Sequence, residues 1–146
     1  MLWRVSRHRE LAGAGGLRAP GRWHERGAPV VYLAGSPAGA LLEACVHTSA
    51  SDVPPNDTLL GVEADARVSL EHLDVSILPA DWIKRLEVTR EIGGVWLREQ
   101  RSCLLRIPSA LVPATFNVML NPLHVDAQRL SIKSVIKYPF DPRIKK

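Results

Sequence analysis

The chain is 146 residues long, 46% hydrophobic, and carries a formal net charge of +4. That length suits one domain over residues 1–146, and the composition supplies a core and excludes global disorder. No run approaches the roughly 18 apolar residues of a membrane helix, and no charged start leads into a long apolar leader. Cys45 and Cys103 stand apart without metal-ligand spacing. The expectation is a reduced, cytoplasmic protein without metal or membrane attachment.

The charge is unevenly placed. Residues 1–26 hold Arg4, Arg7, Arg9, Arg18, Arg22 and Arg26 against Glu10 and Glu25 alone, so this segment carries the whole excess. Such a cluster is either a solvated basic face or a set of guanidinium forks for phosphate or carboxylate. No helix-turn-helix, zinc-finger or RNA-binding signature accompanies it, so direct nucleic-acid binding is not expected.

In chain order, Leu2–Val5 reads as a short strand and Ala12–Gly27 as a glycine-rich loop. Gly13-Ala-Gly-Gly16 lacks the dinucleotide fingerprint spacing and no βαβ unit surrounds it, which argues against a Rossmann domain. Pro29–Ala34 is β-branched and aromatic, a buried strand in prospect. Ser36 then offers an N-cap and Pro37 a first helical residue for a helix to about His47. Its composition is apolar nearly all round and predicts burial. Ser51–Asp57 reads as a turn-rich loop, Thr58–Ala66 as a strand and Leu78–Trp82 as a loop or short turn. Thr89 is a candidate cap for a helix to about Gln100, with Ile92, Val95 and Trp96 on one face. Cys103–Ile107 and Ser131–Phe140 complete the strands. Irregular alternation of helices and strands predicts a single mixed α+β domain.

Glu43 is the most informative residue on physical grounds. It is the only acidic side chain between Glu25 and Asp52 and falls inside an apolar helix, on a face shared with Ala40 and His47. It either points to water or sits in a cleft, where it needs partners. Arg22, between Gly21 and Trp23, is a surface arginine or a cleft cation. Tyr32, on the strand before that helix, is a core tyrosine with its hydroxyl satisfied, or faces a pocket while Val31 and Leu33 pack. Ser109, flanked by Pro108 and Pro113, is a rigid turn residue or a site hydroxyl. Without a Gly-x-Ser-x-Gly elbow it is not expected to be a hydrolase nucleophile. His124, in Asn121-Pro122-Leu-His, reads as structural.

Taken together these segments resemble the RES-domain family, named for an Arg, a Glu and a Ser. The matching pieces are Leu2-Trp-Arg4, Gly21-Arg22-Trp23, Pro29-Val-Val-Tyr32-Leu-Ala, Ala40-Leu-Leu-Glu43 and Pro108-Ser109-Ala-Leu-Val-Pro113. Asn117, Asn121-Pro122-Leu-His124 and Phe140-Asp141-Pro142-Arg143 follow in order. His24 departs from the pattern, since many relatives carry Asn after the Arg-Trp pair. The resemblance implies an ADP-ribosyltransferase-like, diphtheria-toxin-like fold and NAD+ as substrate, with no resident cofactor. It also implies the toxin role in a toxin–antitoxin pair. The partner would be an Xre-family helix-turn-helix antitoxin, in an oligomeric complex that meets DNA only through the antitoxin.

By matching position, the resemblance assigns catalysis to Arg22, Glu43 and Ser109. It assigns substrate binding to Arg4, Arg22, Tyr32 and Asn117. The implied chemistry is cleavage of the nicotinamide glycosidic bond, by hydrolysis or phosphorolysis. Arg4 and Arg22 would hold the pyrophosphate, Tyr32 stack on nicotinamide, Glu43 stabilise the ribosyl cation, and Ser109 fix the ribose or amide. The alternatives are ADP-ribose transfer to a specific protein, and a non-catalytic nucleotide-binding module.

Overall fold

The protein is described by a computed structural model covering residues 1–48, 57–137, 141, 143 and 144. Residues 51–56 of the turn-rich loop, 138–140 of the last strand, and Pro142 lie outside the described residues. Seven strands form one sheet: β1 (Leu2–Ser6), β2 (Val31–Ala34), β3 (Thr58–Ala64), β4 (Leu70–His72), β5 (Leu104–Pro108), β6 (Phe116–Leu120) and β7 (Leu130–Lys137). Their spatial order is β4-β5-β6-β2-β1-β3-β7, antiparallel except for the parallel β4–β5 edge pair. Among the described residues three α-helices accompany them: α1 (Ala14–Arg18), α2 (Pro37–His47) and α3 (Leu86–Glu99). The α+β expectation holds. Among the described residues no helix is long and apolar enough to cross a membrane.

Strand alternation divides the core. Val31 and Leu33 pack with Val62, Leu104, Val118 and Leu120 on one face of the sheet. On the other, Trp96 and Leu97 of α3 pack on Leu105, Ile107 and Met119, with Tyr32 at the margin. At the far end of that face, Ala40 of α2 packs with Ala34 and Leu59 beside Trp3 and Val5. The two helices therefore cover the two ends of one face and leave its middle open. Polar contacts pin α3 in place: Trp96 Nε1 donates to Ser102 Oγ at 2.8 Å, and Asn121 Nδ2 donates to the Leu97 carbonyl at 3.0 Å.

The register of β1 creates the opening. It pairs with β3 along its whole length, from Leu2↔Val62 to Ser6↔Thr58, but meets β2 only at Trp3↔Ala34. Continuing that antiparallel register would pair Arg4 with Leu33 and Val5 with Tyr32. Those four residues instead line a cavity. The strands part there, and the site lies in the split.

Several elements depart from expectation. The glycine-rich loop contains α1, entered through Gly13 at φ 72°, where a side chain would meet the Val30 amide at 2.6 Å. Ser36 caps α2 as expected, its Oγ accepting from Gly39 N at 3.0 Å. The helix is not buried all round, however: only Ala40 is, while Leu42 and Val46 are 42% and 56% exposed. Thr89 does not cap α3. The helix starts at Leu86 with Arg85 in the cap position and no side-chain cap bond, following directly from a 3-10 turn at Trp82–Lys84. Its buried stripe is Thr89, Gly93, Trp96 and Leu97. Strands β4 and β6 had no reading in the sequence.

Candidate functional site

The cavity in the split measures about 580 Å³. That lies within the roughly 300–1,000 Å³ usual for small-molecule sites. Arg4 and Val5 of β1, Tyr32 of β2, Glu43 of α2, Arg90 of α3, Asn117 of β6 and Arg22 all line it. Five of the six sequence-derived candidates thus meet at one cavity. The sixth, Ser109, lies in an adjoining hollow whose wall it shares with Glu43 and Asn117.

Glu43 does not point freely to water. Ala40, Glu43, Val46 and His47 form the helical stripe that faces the cavity. Glu43 Oε1 accepts from Asn117 Nδ2 at 2.7 Å and from Ser109 Oγ at 3.4 Å. Asn117 stands on β6 opposite Ala34 of β2 and Ile107 of β5, so two strands fix its amide. Ser109 Oγ also accepts from the amides of Leu111 at 3.1 Å and Val112 at 3.2 Å. With its lone pairs used by its own turn, its single proton is free to turn to Glu43. Two donors thus converge on one carboxylate oxygen, and the other oxygen is left for a ligand.

Arg4 is the electrostatic anomaly. Its Nη1 is buried and has no hydrogen-bond partner among the described residues. Burial pulls the guanidinium below its ordinary value, partly opposed by the Glu10 carboxylate. Leaving a buried guanidinium nitrogen without a hydrogen bond costs about 1–3 kcal/mol. Such an atom at a cavity wall is the expected signature of a site for an anion.

Tyr32 is held by its hydroxyl. It accepts from Trp23 N at 3.2 Å and lies 2.8 Å from His24 Nδ1. His24 Nε2 sits 3.1 Å from the Ala19 carbonyl, which can only accept, so Nε2 carries the proton and Tyr32 donates to Nδ1. Burial pushes the Tyr32 phenol up, and burial pulls the His24 imidazole down. The hydroxyl is fully engaged, and only the ring remains for a ligand.

Arg22 projects from the loop between α1 and β2. Its Nη1 donates to the Ile83 carbonyl at 2.7 Å and its guanidinium lies 6.0 Å from the Trp82 ring centroid. Arg90 was missed in the sequence. It reaches the cavity from α3 while its Nε donates to the Gly21 carbonyl at 2.9 Å. The missed signal was spacing: Arg90 and Thr89 adjoin in an otherwise amphipathic helix, and nothing local marks either as facing a loop 67 residues earlier.

Comparison with known proteins gives a consistent result. The RES domain model matches residues 1–141. A "Toxin Res" of Pseudomonas putida is 42% identical over 135 residues, covering 91% of this chain and 92% of the relative. A "Prs ADP-ribosylating toxin" of Sphingobium is 37% identical over 139 residues, covering 92% and 86%. Among solved structures, the M. tuberculosis MbcT–MbcA toxin–antitoxin complex superposes with a TM-score of 0.73 at 17% identity. That match covers 98% of this chain and 85% of the other.

Proposed function

The chain belongs to the RES domain family, and from that premise we propose that it is a toxin that consumes NAD+ at the nicotinamide glycosidic bond. The observation that carries the reading is one cavity holding two complementary features. Arg4 presents a buried unpaired nitrogen, and Glu43 is a carboxylate clamped by Asn117 and Ser109.

NAD+ has chemistry for both. Its pyrophosphate is an anion for Arg4 and Arg22, with Arg90 as a further cation at the wall. Its glycosidic bond breaks through an oxocarbenium-like state, as in glycoside hydrolysis. A carboxylate already fixed in place stabilises that developing positive charge without reorganising. Asn117 and Ser109 then act on Glu43: they prevent it from folding back onto the arginines, which would quench both charges. Tyr32 offers its ring face to the nicotinamide. No step requires a metal or a resident cofactor.

Two acceptors are in view. Water or phosphate would make the protein an NAD+-degrading enzyme, and a protein side chain would make it an ADP-ribosyltransferase. The second finds support in the name of the Sphingobium relative. The partner we propose is an antitoxin of the Xre helix-turn-helix family, in keeping with the toxin–antitoxin complex among structural neighbours. Incubation of purified protein with NAD+ alone decides the main reading. Nicotinamide release by the wild type, and not by Glu43→Gln, is the expected result. Release only after addition of cell extract, with label retained on a protein, selects the transferase. Absence of both refutes NAD+ chemistry here.

A further inference from the structure

We propose that Thr89 is a positioning residue, through which α3 presents Arg22 to the substrate. This rests on the NAD+ reading above and concerns how that site is built.

Arg22 lies in a loop with no regular structure of its own, so its placement must come from elsewhere. The segment 82–93 supplies it at both ends of the residue. Thr89 Oγ1 donates to the Arg22 carbonyl at 2.6 Å, and Arg90 Nε donates to the preceding Gly21 carbonyl at 2.9 Å. At the other end, the Ile83 carbonyl accepts from Arg22 Nη1 at 2.7 Å, beside the Trp82 ring. Backbone and guanidinium are thus tied to one continuous segment, the 3-10 turn at Trp82–Lys84 and the first turns of α3.

The behaviour of Thr89 argues against a merely structural role. A threonine inside a helix ordinarily returns its hydroxyl to a carbonyl of the preceding turn. Here that carbonyl, Leu86 O, lies 3.3 Å away and the tertiary acceptor is much closer at 2.6 Å. The hydroxyl has one proton, and the shorter bond takes it. Thr89 is also fully buried. Its hydroxyl has no water to turn to, and the Arg22 carbonyl is its outlet. The hydrogen bond therefore orders Arg22 in the folded protein before any ligand arrives, and the ordering cost falls on folding and not on binding.

The test is a double-mutant cycle on the full chain. Thr89→Val, Thr89→Ser and Arg22→Ala are prepared singly, and Thr89→Val is also combined with Arg22→Ala. NAD+ affinity is read by calorimetry, and KM and kcat by nicotinamide release. Loss of one hydrogen bond predicts that Thr89→Val raises Kd and KM by about 3–10-fold, with kcat within about threefold. Thr89→Ser keeps the hydroxyl and stays near wild type. With Arg22 already removed, Thr89→Val adds less than about twofold, because the residue it positions is gone. Unchanged affinity in Thr89→Val overturns the inference, as does the same loss with and without Arg22. Should Thr89→Val fail to fold, Thr89→Ala serves in its place, since alanine sets no methyl against the carbonyl and favours the helix. A wild type that neither binds nor consumes NAD+ refutes the functional reading itself. An active wild type whose Thr89→Val variant binds NAD+ with unchanged affinity refutes only the positioning.

Discussion

Replacing Gly93 with alanine would place a methyl carbon 1.8 Å from the carbonyl oxygen of Trp23 and 2.8 Å from its carbonyl carbon. Carbon–oxygen contacts need well over 3 Å, so α3 and the Arg22 loop must separate by about 1 Å or more. The obstacle is backbone, which cannot rotate aside as a side chain would. Overpacking of this kind costs about 1–3 kcal/mol, and weakening the Thr89–Arg22 and Arg90–Gly21 bonds adds about 0.5–1.5 kcal/mol each. Against this, alanine in a helix gains about 0.8–1.0 kcal/mol over glycine. The net is a destabilisation of about 1–5 kcal/mol, or a fall in Tm of roughly 3–15 °C for a domain of this size. Gly94 is the internal control. A methyl there meets only the flexible Arg98 Nη1, at 3.2 Å. Gly94→Ala therefore keeps the helix gain and should raise Tm by about 3 °C. Scanning calorimetry of the two variants reads stability, and nicotinamide release reads function. A displacement of about 1 Å at Arg22 predicts a loss of up to about 100-fold in kcat/KM for Gly93→Ala alone, carried mainly by KM. A Gly93→Ala protein as stable as wild type would refute the claim that helix and loop touch through this glycine.

Arg4→Met should raise Tm while weakening NAD+ at least about tenfold, because it removes together a buried nitrogen that lacks a hydrogen bond among the described residues and the proposed phosphate contact; a lower Tm would mean that this nitrogen has a partner in the free protein. Asn117→Ala removes the 2.7 Å bond to Glu43, and the loss of a charge-assisted bond of about 1.5–3 kcal/mol predicts a fall in kcat of roughly 10–150-fold with little change in Kd. Burial holds the His24 imidazole below its ordinary value, so the unfolded chain takes up this proton first. The stability it protects is complete above about pH 6.5 and is lost as pH falls from there toward the folded value. His24→Asn should flatten that acid limb of Tm against pH, and an unchanged limb would count against it. NAD+ titrated into Glu43→Gln with and without antitoxin should lose affinity in the complex if the antitoxin covers the arginine-lined cavity, and equal affinities would place the antitoxin elsewhere.

The elements legible in the sequence are those with local punctuation. Ser36 and Pro37 mark the start of α2 because an N-cap hydroxyl and a fixed φ act within one turn. The strand Val31–Ala34 shows through its β-branched residues, and Val31 and Leu33 do take the face opposite Tyr32. By contrast β6 reads Phe-Asn-Val-Met-Leu, with a polar residue at the place where alternation alone predicts nothing, and it becomes a central strand through tertiary pairing with β2 and β5. The start of α3 was misplaced for a related reason. Thr89 has the chemistry of a cap, but a carbonyl 67 residues earlier claims its hydroxyl. Tertiary context overrides local preference here, as it does for α2, where Leu42 and Val46 stay exposed despite an apolar composition.

The site was legible as a set of residues and not as an arrangement. Composition singled out Glu43 because an isolated carboxylate in an apolar helix needs a reason, and two partners on separate elements supply it. What no local pattern encodes is the parting of β1 from β2 after a single register pair. An antiparallel pair that continued would bury Arg4 and Tyr32 backbone in a ladder and close the cavity. The split leaves that room open, and α3 compensates by bracing the loop that crosses it. The site draws two of its cations, Arg4 and Arg22, from the first 26 residues, and the bracing of the Arg22 loop from α3. That division explains why Arg22 could be found by charge and motif, whereas Thr89, Arg90 and Gly93, which hold its loop, came only from geometry.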